Sequence, residues 1–560
     1  MSNAAANTPK PAPLTGQRVL SAKEEIRRAQ ALACNLPEKN TPSCTGQAYL
    51  GVFFDGTGNN RDKDVGKHKQ SNVVRLWRVH KDNSAKLGVA PAIYIRKEYV
   101  PGVGTPFPLI GEPGETKMGK AMANGGQSRI VWGLIQSMNA LHRYVKGGVP
   151  LMYDEPAGEF AQSEGDGSTS SAIEKLRPFM TQLKGILLSS KPTVTQYNVS
   201  VYGFSRGAAE ARVFCQWFYR LCEKNGDEYT FAGVPVRIYF LGIFDTVAAV
   251  GPTSGDIVMD NIASGKFGWA KGNLRIHPAI ERCVHFVASH EVRASFPLDS
   301  VRYLGKYPAN CFEVVYPGVH SDVGGGYSPG AQGRSILPAD GLSYNFSAQF
   351  PYIDMYHEAM ATGVPLVPIH DMSKESLRDF TPTLQTREDY NAYIKADTVS
   401  GTVEEICRQR MNRYRFYRYR KLETFSDEAK AQGSPAADES FLKLTNAHFK
   451  AKCIGYRRKH ANAPLIAKQE REIEERRGLP HKGGGYWDIR TQDILEASIF
   501  PEDLEMWRGM HRVGELPKSI INFLDHYIHD SMAGFYQDGV NEYQLNDRGH
   551  FRHRTIFDNG

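Results

Sequence analysis

Cysteine is scarce: eight thiols lie among 560 residues, and no CxxC pair occurs. Cys215 and Cys222 would stand two helical turns apart, roughly 10 Å, too far for one disulfide. That usage predicts mostly reduced thiols and synthesis in a cytosol, and it excludes a small disulfide scaffold. Long apolar runs are missing too. No window approaches the ~18 apolar residues of a spanning helix, and the N-terminal MSNAAANTPKPAPLTGQRVL carries no apolar signal-peptide core. A chain made in a cytosol without a signal peptide is expected. Neither sign of charge dominates: 68 Lys and Arg against 61 Asp and Glu leave +7, too slight to require a nucleic-acid partner. HExxH, a compact Cys/His cluster and a Gly-Lys-Ser/Thr phosphate loop are all missing, so no metal or other cofactor is expected.

What the chain does have is an alternation of short apolar runs and longer helical segments, the pattern of an α/β sheet. The runs fall at 48–54, 93–100, 194–202, 236–244, 283–288 and 312–316. Helical patterning falls at 72–80, 118–144, 172–188, 206–222 and around Pro278. Runs so rich in Val, Ile, Phe and Tyr suit strands covered on both faces. A mostly parallel sheet flanked by helices is therefore predicted. Residues 1–45 read as a flexible arm and 46–340 as the α/β domain, with insertions at 151–171 and 251–275. Residues 341–560 read as a mainly helical region suited to membrane or partner contact. The 151–171 insertion, rich in Gly, Ser and acidic residues, reads as a surface loop.

The most informative stretch is Gly203-Phe-Ser205-Arg-Gly207, which ends a β run and opens an amphipathic helix. Strand, sharp turn and helix with small residues beside the Ser form a nucleophile elbow. A serine nucleophile needs a base and a group to orient that base. The next run leads into Asp245, and the last leads into the Gly-rich loop that holds His320, giving the order Ser…Asp…His. His290 is the main competitor as base, His277 and His285 are weaker, and Asp299 is the alternative orienter. Asp322, two residues past His320, suits loop folding or support of the site. The first run ends in Asp55-Gly56-Thr57, where the backbone N–H of Gly56 or Thr57 can face an oxyanion. The N–H of Arg206 supplies the second donor. The role of Asp55 is left open.

Five motifs occur in order: FDGTGN at 54–59, PGVGT at 101–105, GFSRG at 203–207, FDT at 244–246 and PGVHSDVGG at 317–325. Together they resemble the uncharacterised-domain α/β hydrolases, which include the first family of bacterial type VI secretion lipase effectors. The resemblance covers roughly residues 47–330. It implies a phospholipase A that works through Ser205, Asp245 and His320 on membrane phospholipid. It further implies loading on a spike protein, secretion into the periplasm of a rival bacterium, and a cognate immunity lipoprotein in the producer.

Contact with lipid calls for apolar or basic surface. The 251–275 insertion carries Phe267 and Trp269 and suits a lid, or equally a packed excursion. Residues 408–421, RQRMNRYRFYRYRK, include Arg413, Arg415, Arg418 and Arg420 and equal the whole net charge of +7. Such a strip suits anionic headgroups, at roughly 1 kcal/mol per basic residue near the surface. Its composition is also that of a single-stranded nucleic-acid platform or of a partly packed helix. No nucleic acid is expected as a partner. A soluble carboxylesterase or thioesterase, and a non-catalytic binding module, are the rival readings.

Overall fold

The β-branched and aromatic runs lie side by side, as residues that fit a pleated, buried surface should. The computed structural model describes residues 10–11, 22, 44–84, 91–115, 125–165, 169–248, 268–336, 344, 346–477, 501–534 and 549–559. Its strands are Lys10–Pro11 (β1), Thr45–Phe54 (β2), Ile93–Val100 (β3), Thr193–Phe204 (β4), Glu223–Asn225 (β5), Glu228–Phe231 (β6) and Val234–Phe244 (β7). Cys283–Ala288 (β8), Leu298–Asp299 (β9), Cys311–Tyr316 (β10) and Ile556–Phe557 (β11) complete the set. Among the described residues nine strands form one sheet, in the order β1-β10-β8-β7-β4-β2-β3, with β6 paired to β7 and β5 to β6. Every pairing along that path is parallel. β9 and β11 form a separate parallel pair.

The register decides where the site sits. Phe54 pairs with Gly203, Phe204 with Phe244, Phe244 with Phe286, and Ala288 with Tyr316. The residues that follow β2, β4, β7 and β10 therefore emerge along one edge of the sheet, where open α/β sheets carry their ligand sites.

Alternation along the strands sorts side chains onto two faces. Ala48, Leu50, Val52 and Phe54 of β2 join one buried cluster with the helices Gly126–Val145, Thr169–Ser189 and Arg206–Leu221. Phe53, Phe204, Phe240 and Phe286 point the other way, into a second cluster. That cluster also holds Met355, Phe380, Tyr390, Tyr414 and Phe523. The described residues of 349–477 and 501–526 are mainly helical, and side chains among them cover this face of the sheet.

Two expectations are amended. The 151–171 segment is not simply a loop, because Asp154–Ser163 is helical with acidic Asp154 and Glu155 in its first turn. Pro156 is tolerated in that turn, and Gly158 lets the helix lie against the backbone of Leu109, where a Cβ would collide. Of the N-terminal arm, Lys10–Pro11 adds the edge strand beside β10. The remainder of 1–43, apart from residue 22, lies outside the described residues.

Candidate active site

Ser205 stands between β4 and the helix Arg206–Leu221, with φ 58° and ψ −125°. A side-chain-bearing residue pays a steric penalty there, so the surrounding chain must impose the turn. Ser205 N–H donates to Phe244 O at 3.0 Å, and Val247 N–H donates to Ser205 O at 3.2 Å. Glycine is required on both sides. A Cβ on Gly203 would strike the carbonyl of Gly207, and one on Gly207 would strike the carbonyl of Asp55. The turn thus sets Ser205 at the N-terminus of a 16-residue helix, where the dipole favours negative charge.

Asp245 follows β7 and is fully buried. Its Oδ2 accepts from His320 Nδ1 at 2.5 Å, and its Oδ1 accepts from Ala288 N–H at 2.8 Å. Because the carboxylate can only accept, His320 Nδ1 carries the proton and Nε2 presents its lone pair. Neither Ser205 Oγ nor His320 Nε2 has a hydrogen-bond partner among the described residues. The imidazole lies against Phe204, the residue before Ser205, with ring centroids 4.6 Å apart, and against Phe296 at 4.9 Å. Burial lowers the His320 pKa, and the Asp245 carboxylate opposes that.

The other histidines have different tasks. His285 Nε2 accepts from Thr246 N–H at 3.1 Å, and its Nδ1 faces Glu313 at 2.8 Å, so both nitrogens are spent. His290 Nδ1 accepts from Gly318 N–H at 2.8 Å, and burial pulls its pKa to about 3. His277 stacks on Tyr219 at 4.2 Å. Asp299 bonds the N–H of Ala248 at 2.9 Å, while it is Asp245 that meets His320.

Sequence reading missed the groups that brace this centre from the C-terminal end of the chain. Arg554 donates from Nη1 to Asp245 Oδ1 and from Nη2 to Asp245 Oδ2, each at 2.7 Å. Burial pushes the Asp245 carboxyl up, but Arg554 and His320 more than offset this and hold it well below the usual range. Asp322 Oδ2 accepts from Val319 N–H and His529 N–H at 3.1 Å each, and Oδ1 faces His529 Nδ1 at 2.6 Å. Asp322 thus ties the short helix His320–Gly324, which stands where a loop was expected, to residue 529. Glu291 accepts from His320 N–H at 3.3 Å and pairs with Arg293 at 2.8 Å. A carboxylate paired across more than two hundred residues leaves no periodic or motif signal.

The loop after β2 is held by Asp55. Its Oδ1 accepts from Gly56 N–H at 2.8 Å and from the Ser71 hydroxyl, and its Oδ2 from the Tyr99 hydroxyl at 2.6 Å. The Gly56 N–H is therefore committed to Asp55, which corrects its expected place as an oxyanion donor. Among the described residues the N–H groups of Thr57 and Arg206 have no acceptor. The Arg206 guanidinium donates to Thr57 Oγ1, which joins the two loops.

The catalytic domain of the Tle1-like phospholipase effectors of the type VI secretion system (T6SS) matches residues 49–226 and 220–357. This chain belongs to that family. The match ends 37 residues past His320, so Ser205, Asp245 and His320 lie inside it and Arg554 outside. A crystal structure of an uncharacterized protein from Pseudomonas aeruginosa covers 99% of this chain and 84% of its own, at 24% identity and a TM-score of 0.69. The two share a fold. The Tle1 effector bound to the VgrG spike of the T6SS aligns over 64% of this chain and 81% of its own, with 19% identity and a TM-score of 0.35. No curated protein matches.

The surfaces expected to meet lipid look different in this Tle1-like chain. Trp269 is buried, its indole packed where a Cβ on Gly126 would fall. It is core, not a membrane anchor. Phe267 and residues 251–267 of the expected lid lie outside the described residues. The basic strip forms the helix Val403–Arg420, and its charges point largely inward. Arg415 is buried, donating from Nε to His550 O at 2.7 Å, and Arg418 is buried on Asp530. Arg413 pairs with Asp397, which also accepts from Arg410 Nε at 2.6 Å. Arg420 is exposed. The strip is thus mainly an internal network of ion pairs and carbonyl contacts rather than a headgroup surface, its acidic partners including nearby Asp397 and distant Asp530. No helix among the described residues is long and apolar enough to cross a membrane, and no three or more of their His, Cys, Asp and Glu side chains cluster as metal ligands would.

Proposed function

We propose that this Tle1-like chain is a phospholipase A that cleaves fatty-acyl esters of glycerophospholipids through Ser205, His320 and Asp245. The observation that carries the reading is the 2.5 Å bond from His320 Nδ1 to Asp245, with Ser205 held at positive φ at the end of β4. In this mechanism His320 Nε2 takes the Ser205 proton as Oγ attacks the ester carbonyl. The helix N-terminus and the N–H groups of Arg206 and Thr57 receive the oxyanion. The lysophospholipid departs with the proton from His320, and water activated by the same imidazole then frees the fatty acid. Asp245 holds the tautomer and stabilises the imidazolium. No step calls on a metal.

Family membership supports the biological setting. The chain is loaded on a T6SS spike, acts at the membrane in the periplasm of a rival cell, and is checked in the producer by an immunity lipoprotein. Residues 341–560 then serve mainly to complete and brace the catalytic domain.

The test compares purified full-length protein with Ser205→Ala on phospholipid vesicles and on a short-chain ester. Wild type is expected to release free fatty acid and lysophospholipid. The variant should fall by roughly 10⁴-fold or more. An equally active variant removes the triad, whereas turnover of the soluble ester alone makes the protein a carboxylesterase.

A further inference from the structure

Ser-His-Asp chemistry calls for a nucleophile, a base and a carboxylate, and nothing in it requires a guanidinium. Arg554 nonetheless spends every nitrogen at the heart of the site. Nη1 donates to Asp245 Oδ1 at 2.7 Å and to Ala288 O at 3.0 Å, Nη2 to Asp245 Oδ2 at 2.7 Å, and Nε to Phe296 O at 3.0 Å. The two side chains are 1% and 0% exposed. A planar fork on a carboxylate fixes its plane as well as its charge. With Ala288 N–H and Nη1 on Oδ1, and Nη2 and His320 Nδ1 on Oδ2, the carboxylate has no freedom to rotate.

The segment that delivers Arg554 is itself pinned. Leu298 N–H donates to Thr555 O at 2.9 Å, Ser300 N–H to Phe557 O at 3.0 Å, and Asn559 N–H to Arg302 O at 3.2 Å. Asp299, in the β9 strand that pairs with β11, donates its N–H to Thr246 O at 2.9 Å. A continuous ladder thus joins the 549–559 segment to the residue after Asp245.

We propose that Arg554 is a positioning residue for ester hydrolysis, locking the Asp245 carboxylate so that Oδ2 aims at His320 Nδ1, and that the 549–559 segment is thereby part of the active centre. The proposal rests on the Ser205–His320–Asp245 reading above. It assigns Arg554 no contact with substrate. Its loss therefore lowers turnover rather than affinity.

Full-length Arg554→Met, Arg554→Lys and Arg554→Ala are assayed on a soluble ester, with folding checked by thermal unfolding. Arg554→Met should lose roughly 10²-fold in kcat with KM held within about threefold, the pattern of a misaimed catalytic group. Arg554→Lys keeps the charge but not the fork, and should remain folded while losing at least about tenfold in kcat. Guanidinium chloride at low millimolar concentration should restore part of the Arg554→Ala activity, and sodium chloride should not. Independently of turnover, the low-field proton resonance of His320 Nδ1–H is followed in a Ser205→Ala background, with His320→Gln as its assignment control. It should be lost or shifted when Arg554 is also replaced by Lys. Folded Arg554→Lys with wild-type kcat, or an unchanged resonance, overturns the proposal. Active Ser205→Ala protein would instead overturn the hydrolase reading, and the resonance would still judge Arg554.

Discussion

At the scale of single residues, the site is a set of buried charges whose partners decide their state. Burial lowers the His320 pKa, with Asp245 pulling the other way. The sign follows: the ring is neutral, and able to accept the Ser205 proton, at pH values where a free imidazole is already half charged. The acid limb of kcat/KM on a soluble ester should therefore fall below the ordinary value of about 6.5. A limb above that value would show the Asp245 charge prevailing over burial. Asp55 behaves oppositely. Burial, against hydrogen bonds from Ser71, Tyr99 and Gly56, pushes its carboxyl from 3.8 up to about 6. Between those values the native chain holds a proton that the unfolded chain has released. The stability tied to Asp55 is thus full below about pH 4 and is lost as pH rises through about 6. Urea unfolding should show wild-type stability falling relative to Asp55→Asn by up to about 3 kcal/mol from about pH 4 to about pH 7. A flat or rising difference would count against this account. Ser205 and Asp245 were legible because each directly follows a strand, and His320 because it comes four residues after one, in a Gly-rich stretch. Arg554 was not, since it meets Asp245 across 309 residues and is one basic residue among 68.

At the scale of elements, apolar periodicity carried most of the information. The runs at 93–100 and 283–288 coincide with the strands Ile93–Val100 and Cys283–Ala288, and the run at 48–54 lies inside Thr45–Phe54. Cys283–Ala288 and the second half of Thr45–Phe54 are buried on both faces, so burial wrote a nearly continuous apolar signature there, whereas the edge strand Ile93–Val100 is half-buried and carries Arg96, Lys97 and Glu98. Asp154–Ser163 escaped because its Pro, Gly and acidic residues are turn formers unless a neighbour accepts close backbone approach. The helix Val403–Arg420 misled for another reason. Composition reports charge but not its partner, and here the partners are Asp397, Asp525 and Asp530. Arg418 shows the consequence. It pairs with Asp530, which also meets His550 Nε2 at 2.9 Å, and its guanidinium lies 3.5 Å from the ring centroid of Phe425. Against burial, His550 and Arg418 hold the Asp530 carboxyl well below its usual range. Truncating Arg418 strands that charge in the interior. Arg418→Ala should destabilise the protein by about 3–5 kcal/mol in urea unfolding. Arg420→Ala, at the exposed end of the same helix, should stay within about 0.5 kcal/mol. Equal effects would mean that the strip faces solvent after all.

At the scale of the whole molecule, the family's catalytic match stops at residue 357, but the physics of the site does not. One face of the sheet carries Phe53, Phe204, Phe240 and Phe286, and residues from Phe380, Tyr390, Tyr414 and Phe523 cover them in one buried cluster. Ending the chain at 357 would strip that cover and expose an apolar face larger than the several hundred Å² that soluble monomers usually tolerate. The same cut removes His529 from Asp322 and Arg554 from Asp245, depriving each of two buried carboxylates of its partner from the C-terminal region. Loss of packing and stranded charge act in the same direction, so the cost far exceeds that of any single substitution above. A fragment of residues 44–357 should therefore aggregate, or bind hydrophobic dyes without a cooperative thermal transition, whereas the full chain should melt cooperatively. Adding residues 358–560 in trans should restore both cooperativity and ester turnover if the two pieces share a core. A soluble 44–357 fragment with wild-type turnover would place the whole catalytic apparatus within the matched region and reduce the C-terminal helices to an appendage.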